Sequence, residues 1–257
     1  MKPSDRQEQI LGLLRTLQRE WSVEDLASSL NVSPITIRRD LEQLETKGVI
    51  IRTHGGCLPV LHSGFEATYQ NRIASNFSLK QKIGRRAAEE VREGECILIF
   101  DGSTTYHMLG CIGELDRLTV YTNSIAFITE LSRFPSIEIY LLGGRYNRTM
   151  YFLQGSLTER VLDMVRFDAI FLGVDGIDTE GHCLVANHET ARMHELMLKQ
   201  DCRKVLLADH TKVGRAGRVR CGDLSQFGMW ITTRGGTSGS RGKNRSPLEA
   251  LTRVVYV

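Results

Sequence analysis

Two adjacent arginines, Arg38 and Arg39, sit close behind Ser33, Ile35 and Thr36 in the run SVEDLASSLNVSPITIRRDLEQLETKGVIIRTHGG, residues 22–56. A guanidinium can bridge O6 and N7 of a guanine or grip a phosphate, and an aliphatic tip can touch a thymine methyl. At about 100° per residue, Ile37, Leu41 and Leu44 share one helical face. Arg39 and Ile35 then point away from that face, with Thr36 and Arg38 on its flanks. Arg52 and His54 follow within a hairpin-like stretch and are placed to reach a nucleic-acid backbone. Double-stranded DNA is the partner this chemistry fits.

A second set of residues is polar and rich in glycine and hydroxyls. Asp101-Gly102-Ser103-Thr104-Thr105 leads straight into an expected helix. Exposed backbone N–H groups at such a turn, with a helix N-terminus behind them, favour an anion such as phosphate, and the three hydroxyls add donors. Further polar turns hold Asn123, then Gly143 and Gly144, then Asp175, with Glu189 and Lys212 later in the chain. Together they are candidates for holding one small phosphorylated polyhydroxy ligand. Each has a plainer reading: Gly143-Gly144 as a tight turn, Asp175 and Asp178 as turn caps, Glu189 as a first-turn helix acid.

The elements that must carry these residues follow from the pattern. Val23, Leu26, Ala27 and Leu30 make a short amphipathic helix with Ser22 as N-cap. Asn31-Val32 breaks it, and Ser33-Pro34 restarts the chain with a cap followed by a first-turn proline. Ile10, Leu13, Leu14 and Leu17 give an upstream helix to close a small core, and residues 49–56 read as a hairpin wing. Residues 1–60 hold eight basic and eight acidic side chains, so this head is electrically neutral. Its signal is the placement of its cations rather than their excess, and placement is what separates it from an ordinary solvated bundle.

Across 257 residues, 25% are charged, 41% are hydrophobic and the formal net charge is +3, values typical of an ordinary globular chain. No run approaches the ~18 apolar residues of a membrane span. MKPSDRQEQ lacks the apolar centre of a signal peptide, so a cytoplasmic location is expected. The six cysteines are scattered with no CxxC spacing, which fits reduced thiols rather than a disulfide framework or a zinc site. His188 and His194 are six residues apart and diverge by about 120° on a helix, so no metal and no cofactor are expected.

Beyond residue 78, strand-like segments at 96–100, 118–121, 137–142, 169–173, 205–208, 229–232 and 253–257 alternate with helical ones at 79–93, 104–115, 124–133, 156–165 and 189–199. That alternation predicts an α/β fold with an open, mostly parallel sheet. Ligands bind such sheets beyond the carboxyl ends of the strands, where the polar turns fall. The expected organisation is a winged helix-turn-helix over 1–58, a linker over 59–78 and an effector-binding domain over 79–257. The Gly/Arg/Ser-rich stretch 234–246 reads as a surface loop.

The head resembles the winged helix-turn-helix of DeoR-type bacterial transcriptional regulators. Val32, Ser33, Thr36, Ile37, Arg38, Arg39, Asp40, Leu41, Leu44, Glu45, Arg52, His54, Gly55 and Gly56 carry that match. The remainder is similar to the family's effector domain, which is related in fold to ribose-5-phosphate isomerase. Its landmarks here are Arg72, Lys80, Asp101, Thr104, Thr105, Thr122, Asn123, Gly143, Gly144, Gly155, Asp168, Gly173, Gly181, Glu189 and Lys212. Ser103 stands where the family loop D-x-G-[ST]-T has glycine, and the usual lysine after Glu189 is absent. The resemblance implies a repressor of a carbohydrate-utilisation operon that a phosphorylated sugar releases from its operator, working as a homo-oligomer, a dimer or tetramer. The rival reading is a sugar-phosphate isomerase fused to a DNA-binding head, with Asp175, Asp178 or Glu189 as base and Lys212 facing the oxyanion. No residue spacing shows those groups meeting, and kinship of fold does not transfer activity. A third reading, an architectural DNA binder without a ligand, is disfavoured by the size and loop chemistry of the second domain.

Overall fold

The structure, a computed structural model, describes residues 3–17, 20–46, 49–53, 55–59, 67–215, 217–235 and 247–257. By its internal contacts the chain separates into two units, Met1–Ser78 and Leu79–Val257.

The first unit runs α1 (Pro3–Leu17), β1 (Trp21–Ser22), α2 (Val23–Leu30), α3 (Pro34–Thr46), β2 (Ile50–Arg52), β3 (Gly56–Pro59) and α4 (Ala67–Ala74). Ile10 and Leu14 of α1, Leu26 of α2, and Ile37, Leu41 and Leu44 of α3 pack into one core with Trp21, Ile50 and Cys57. The caps sit where the side chains dictate. Ser22 Oγ accepts from the Asp25 backbone N–H at 2.9 Å, and α2 stops at Asn31 in the left-handed region, φ +53°. The wing is a three-stranded antiparallel sheet in the order β1-β3-β2. Gly56 is required there: a Cβ would lie 1.9 Å from the Trp21 carbonyl oxygen where β3 crosses β1. The stretch expected as a linker carries α4, in which Tyr69, Ile73 and Ala74 are buried. Eight residues are too short for a helical period to stand out from sequence alone.

The second unit runs α5 (Phe77–Ala88), β4 (Cys96–Ile99), β5 (Leu118–Thr122), α6 (Ile125–Leu131), β6 (Ile137–Leu141), β7 (Arg145–Asn147), β8 (Phe152–Gln154), α7 (Ser156–Met164), β9 (Ala169–Leu172), β10 (Gly176–Ile177), β11 (His182–Val185), α8 (His188–Lys199), β12 (Arg203–Leu207), β13 (Val219–Asp223), β14 (Met229–Thr232) and β15 (Val254–Tyr256). Seven of these strands form one sheet in the order β15-β14-β12-β9-β4-β5-β6, with every neighbouring pair parallel. Strands β9 and β14 are buried along their whole length. Their runs AIFL and MWIT, apolar except for Thr232, suit a sheet covered on both faces.

The chain grows outward from β4 through β5 to β6, then returns to place β9 on the other side of β4. The direction of winding therefore reverses between β4 and β9, the point at which open α/β sheets form a ligand crevice. All the turns after these strands emerge at the same end of the sheet.

Two differences from the expected elements bear on the site. The helix expected over 104–115 is a single 3-10 stretch, Thr105–Cys111, because Gly110 and Gly113 interrupt the segment. The hairpin β7–β8 and the small antiparallel sheet β10-β11-β13 were not expected, since their strands mix polar, glycine and apolar residues instead of forming apolar runs. Residues 236–246, most of the stretch read as a surface loop, lie outside the described residues. Among the described residues, no helix is long and apolar enough to cross a membrane.

Candidate nucleic-acid interface and candidate effector site

On α3 the inner face is Ile37, Leu41 and Leu44, all buried, together with Asp40. The outer face near the N-terminus is Ile35, 66% exposed, with exposed Arg38 and Arg39 and half-buried Thr36. Ser33 starts the helix. The Thr36 backbone N–H reaches Ser33 Oγ at 3.3 Å, and the two hydroxyls share a hydrogen bond of 2.9 Å. Arg38 Nη2 lies 3.9 Å from Glu24 of α2, with both side chains mostly in solvent. Such a contact is weak and leaves the guanidinium available. Arg52, on β2, keeps Nη1 enclosed without a hydrogen bond to any described residue. His54 lies outside the described residues.

Asp40, in the middle of the TIRRD motif, was not among the residues expected to have a buried role. It receives Arg6 of α1 through Nε and, at 3.0 Å, through Nη2. The recognition face is held from behind by an ion pair that joins the first helix to the third. The available clue was an acid on the inward stripe, at Ile37 + 3.

At the strand ends of the second unit, Asp101 is held by the turn after β5. Its backbone N–H donates to Asn123 Oδ1 at 2.8 Å, and Ser124 Oγ donates to its Oδ1 at 3.1 Å. Asn123 is fully buried and its amide donates to the Leu153 carbonyl at 3.1 Å. Asn123 thus clamps the β4 turn to β8. Thr105 is also engaged within the loop. Its hydroxyl is buried and donates to the carbonyls of Phe100 and Gly102 at 2.8 and 2.9 Å, so it shapes the loop. Thr104 is buried as well, whereas Asp101, Gly102 and Ser103 are half-buried.

Gly143 and Gly144 both have positive φ, +74° and +121°. Thr158 Oγ1 donates to the Gly143 carbonyl at 2.6 Å, and a Cβ on Gly144 would sit 2.3 Å from that same hydroxyl oxygen. The pair makes a tight turn, and that turn delivers Arg145 to Glu189. Arg145 Nη2 contacts both Glu189 oxygens at 2.6–2.7 Å, and Gln154 Nε2 also donates to that carboxylate. Glu189 lies in the first turn of α8, behind an Asn187 cap that accepts from the Thr190 N–H at 2.9 Å. Arg145 and Gln154 were missed from sequence, because nothing local marks a hairpin residue as the partner of an acid 35–44 positions away.

Asp175 follows β9, and its N–H donates to the Leu184 carbonyl at 2.9 Å. Lys212 ends a 3-10 turn after β12. That turn is shaped by the buried carboxylate of Asp209, whose Oδ1 accepts from the Thr211 N–H at 2.9 Å and from the Thr211 hydroxyl at 2.5 Å. Asp178 is a turn residue: its Oδ1 accepts from the N–H groups of Glu180 and His182 at 2.9 Å, and its Oδ2 meets His182 Nδ1 at 2.8 Å. Partial burial pushes its pKa up, but these donors outweigh that and hold it below the ordinary carboxylate value.

His194, one turn beyond Glu189 on α8, is buried with Nδ1 against the Thr190 carbonyl and Nε2 against the Gly173 carbonyl, at 2.9 and 3.0 Å. Burial holds it below the ordinary histidine range, against the opposite pull of those two carbonyls and of Asp175. Burial also pushes the Cys57 and Cys221 thiols up to about 12. No group of His, Cys, Asp and Glu among the described residues is arranged to hold a metal ion.

Residues 6–60 match the family model for the DeoR-like helix-turn-helix domain, and residues 75–234 match that for the DeoR C terminal sensor domain. The chain belongs to the DeoR family of transcriptional regulators. A relative of this DeoR-family chain is the HTH-type transcriptional regulator GlpR of Haloferax volcanii, 35% identical and covering 90% of each chain. The HTH-type transcriptional repressor GlcR of Bacillus subtilis is 34% identical and covers 89% of each. The glycerol-3-phosphate regulon repressor of Escherichia coli is 30% identical and covers 88% of each. Among solved structures, ribose 5-phosphate isomerase from Plasmodium falciparum overlaps 53% of this chain and 52% of its own at TM-score 0.38 and 17% identity, a likeness too distant to argue from. The family is one of regulators, not enzymes, and the isomerase alternative has no further support.

Proposed function

We propose that this DeoR-family regulator represses a carbohydrate-utilisation operon in the cytoplasm and is released from its operator by a phosphorylated sugar or related metabolite. The observation that carries the reading is the outward display of Ile35, Arg38 and Arg39 on α3, whose inner face is buried. In this reading Ser33, Ile35, Thr36, Arg38 and Arg39 enter the major groove, while Arg52 and His54 meet the backbone. The repressor names of the relatives support the sign of regulation, and the glycerol-3-phosphate regulon of one of them supports a phosphorylated polyol as signal.

The effector is held at the carboxyl end of the parallel sheet by Asp101, Gly102, Ser103, Thr104, Gly143, Gly144, Asp175, Glu189 and Lys212. Thr105 and Asn123 position that shell. A symmetric homo-oligomer places two recognition helices in successive major grooves, about 34 Å apart. The effector acts by binding one conformation better than the other, and its influence equals that difference in affinity.

The test is operator binding titrated against a panel of phosphorylated and free sugars, with turnover of each monitored alongside. Release by a phosphorylated sugar without turnover is the expected result. Turnover, or release by no member of the panel, overturns the reading.

A further inference from the structure

Gln154 ends β8 with its side chain turned inward, 3% exposed, and stands opposite Arg145 across the β7–β8 hairpin. Its Nε2 donates to Glu189 Oε2, the oxygen that Arg145 Nη2 also holds at 2.6 Å. That bond fixes the amide, because turning it over would set Oε1 against a carboxylate, acceptor against acceptor. In the orientation present, Oε1 is enclosed and makes no hydrogen bond to a described residue. Native folds leave few buried acceptors without a donor, and a leucine would fill the same place without stranding an oxygen.

Oε1 branches from the same carbon as Nε2, so it opens beside the Glu189 carboxylate. The Arg145 and Glu189 side chains are 62% and 53% exposed, which puts the amide one hydrogen bond below the surface. So open an ion pair is weak, and a ligand that engages Glu189 parts it from Arg145 and reaches the amide.

We propose that Gln154 is a specificity-determining residue of the effector site, its Oε1 accepting a hydrogen bond from a hydroxyl of the effector. The inference rests on the phosphorylated-sugar reading above and names how that site recognises the polyol part of its ligand. An amide oxygen accepts but does not donate, so it selects a hydroxyl and not an anionic oxygen. A site built around a hydroxyl rejects the analogue that lacks it, because the polar group of the protein is then left unpaired.

The test is isothermal titration calorimetry of the full chain with the panel of phosphorylated sugars, glycerol 3-phosphate, fructose 6-phosphate and glucose 6-phosphate among them. Each sugar that binds is then compared with its singly deoxygenated analogues. Wild type is expected to lose at least about tenfold in affinity when one particular hydroxyl is removed. Gln154→Leu removes both polar atoms, whereas Gln154→Lys keeps a donor for Glu189 and removes the acceptor. In both variants, with circular dichroism confirming the fold, removing that hydroxyl changes affinity by less than about threefold. Sensitivity to the hydroxyl that survives in either variant overturns the assignment; survival in Gln154→Lys alone means that Gln154 only steadies Glu189. A wild type for which no single hydroxyl is worth more than about threefold also overturns it, whether or not the variants fold. These results leave the effector reading standing. Binding of no member of the panel overturns that reading and this assignment with it.

Discussion

Arg6 of α1 and Asp40 of α3 form a forked ion pair at the back of the recognition helix, with Nη2 3.0 Å from Oδ1 and both side chains almost withdrawn from solvent. Removing one partner of a buried pair strands the other charge and costs about 3 kcal/mol. Asp40→Ala is therefore expected to lower the stability of the first unit by that order, measured by urea denaturation. It should lose operator binding through the fold, although Asp40 itself touches no DNA.

Arg38→Ala and Arg39→Ala should act in the opposite manner. Both side chains are exposed on α3, so stability is retained. A lost bidentate base contact weakens operator binding by about 1–3 kcal/mol, roughly fivefold to 150-fold. If one of the two grips a phosphate instead, its loss reduces the slope of log affinity against log salt by about one. Gel shifts over a salt series separate the two roles, and wild-type binding by both variants would remove α3 from the groove.

The two glycines after β6 differ in what they tolerate. Gly143→Ala meets open space and faces only its positive φ, about 1–2 kcal/mol. Gly144→Ala adds a clash with the Thr158 hydroxyl, 2.3 Å from the new Cβ, and should cost more in thermal unfolding. It should also blunt release by effector, because the same turn sets Arg145 against Glu189.

Lys212→Ala and Glu189→Ala are expected to leave operator affinity unchanged and to abolish release by the inducing sugar phosphate, read as a flat titration in the gel shift. A variant still released at the wild-type inducer concentration excludes that residue from the site.

His194 makes the second unit sensitive to acid. Its folded pKa lies below the ordinary 6.5 through burial, so below that pH the unfolded chain binds a proton that the folded one resists. Stability is complete above about pH 6.5 and falls as pH drops through and below it. His194→Gln should flatten this part of the pH profile of thermal unfolding, and an unchanged slope would place the acid sensitivity elsewhere.

Reading these elements from residues alone worked wherever a period ran long enough to count. The inward stripe of α3, the Ser22 cap and the seven parallel strands are local consequences of side-chain spacing and backbone preference. The strands β7, β8 and β10 were not legible, because two or three residues of mixed character show neither an apolar run nor an alternation. Also not legible were α4, the burial of Asp40 and the 3-10 geometry after Asp101.

By itself, then, the sequence determined which faces turn inward, where the chain reverses and which cations stand outward on α3. Those properties follow from spacing, propensity and charge. Only the tertiary structure decided how the polar turns are used: Asn123 and Thr105 are consumed in holding the loops, and Glu189 is bound to Arg145 and Gln154. The reason is that a buried donor or acceptor must find a partner wherever the fold brings one, and those partners lie 22 to 44 residues away for Asn123 and Glu189.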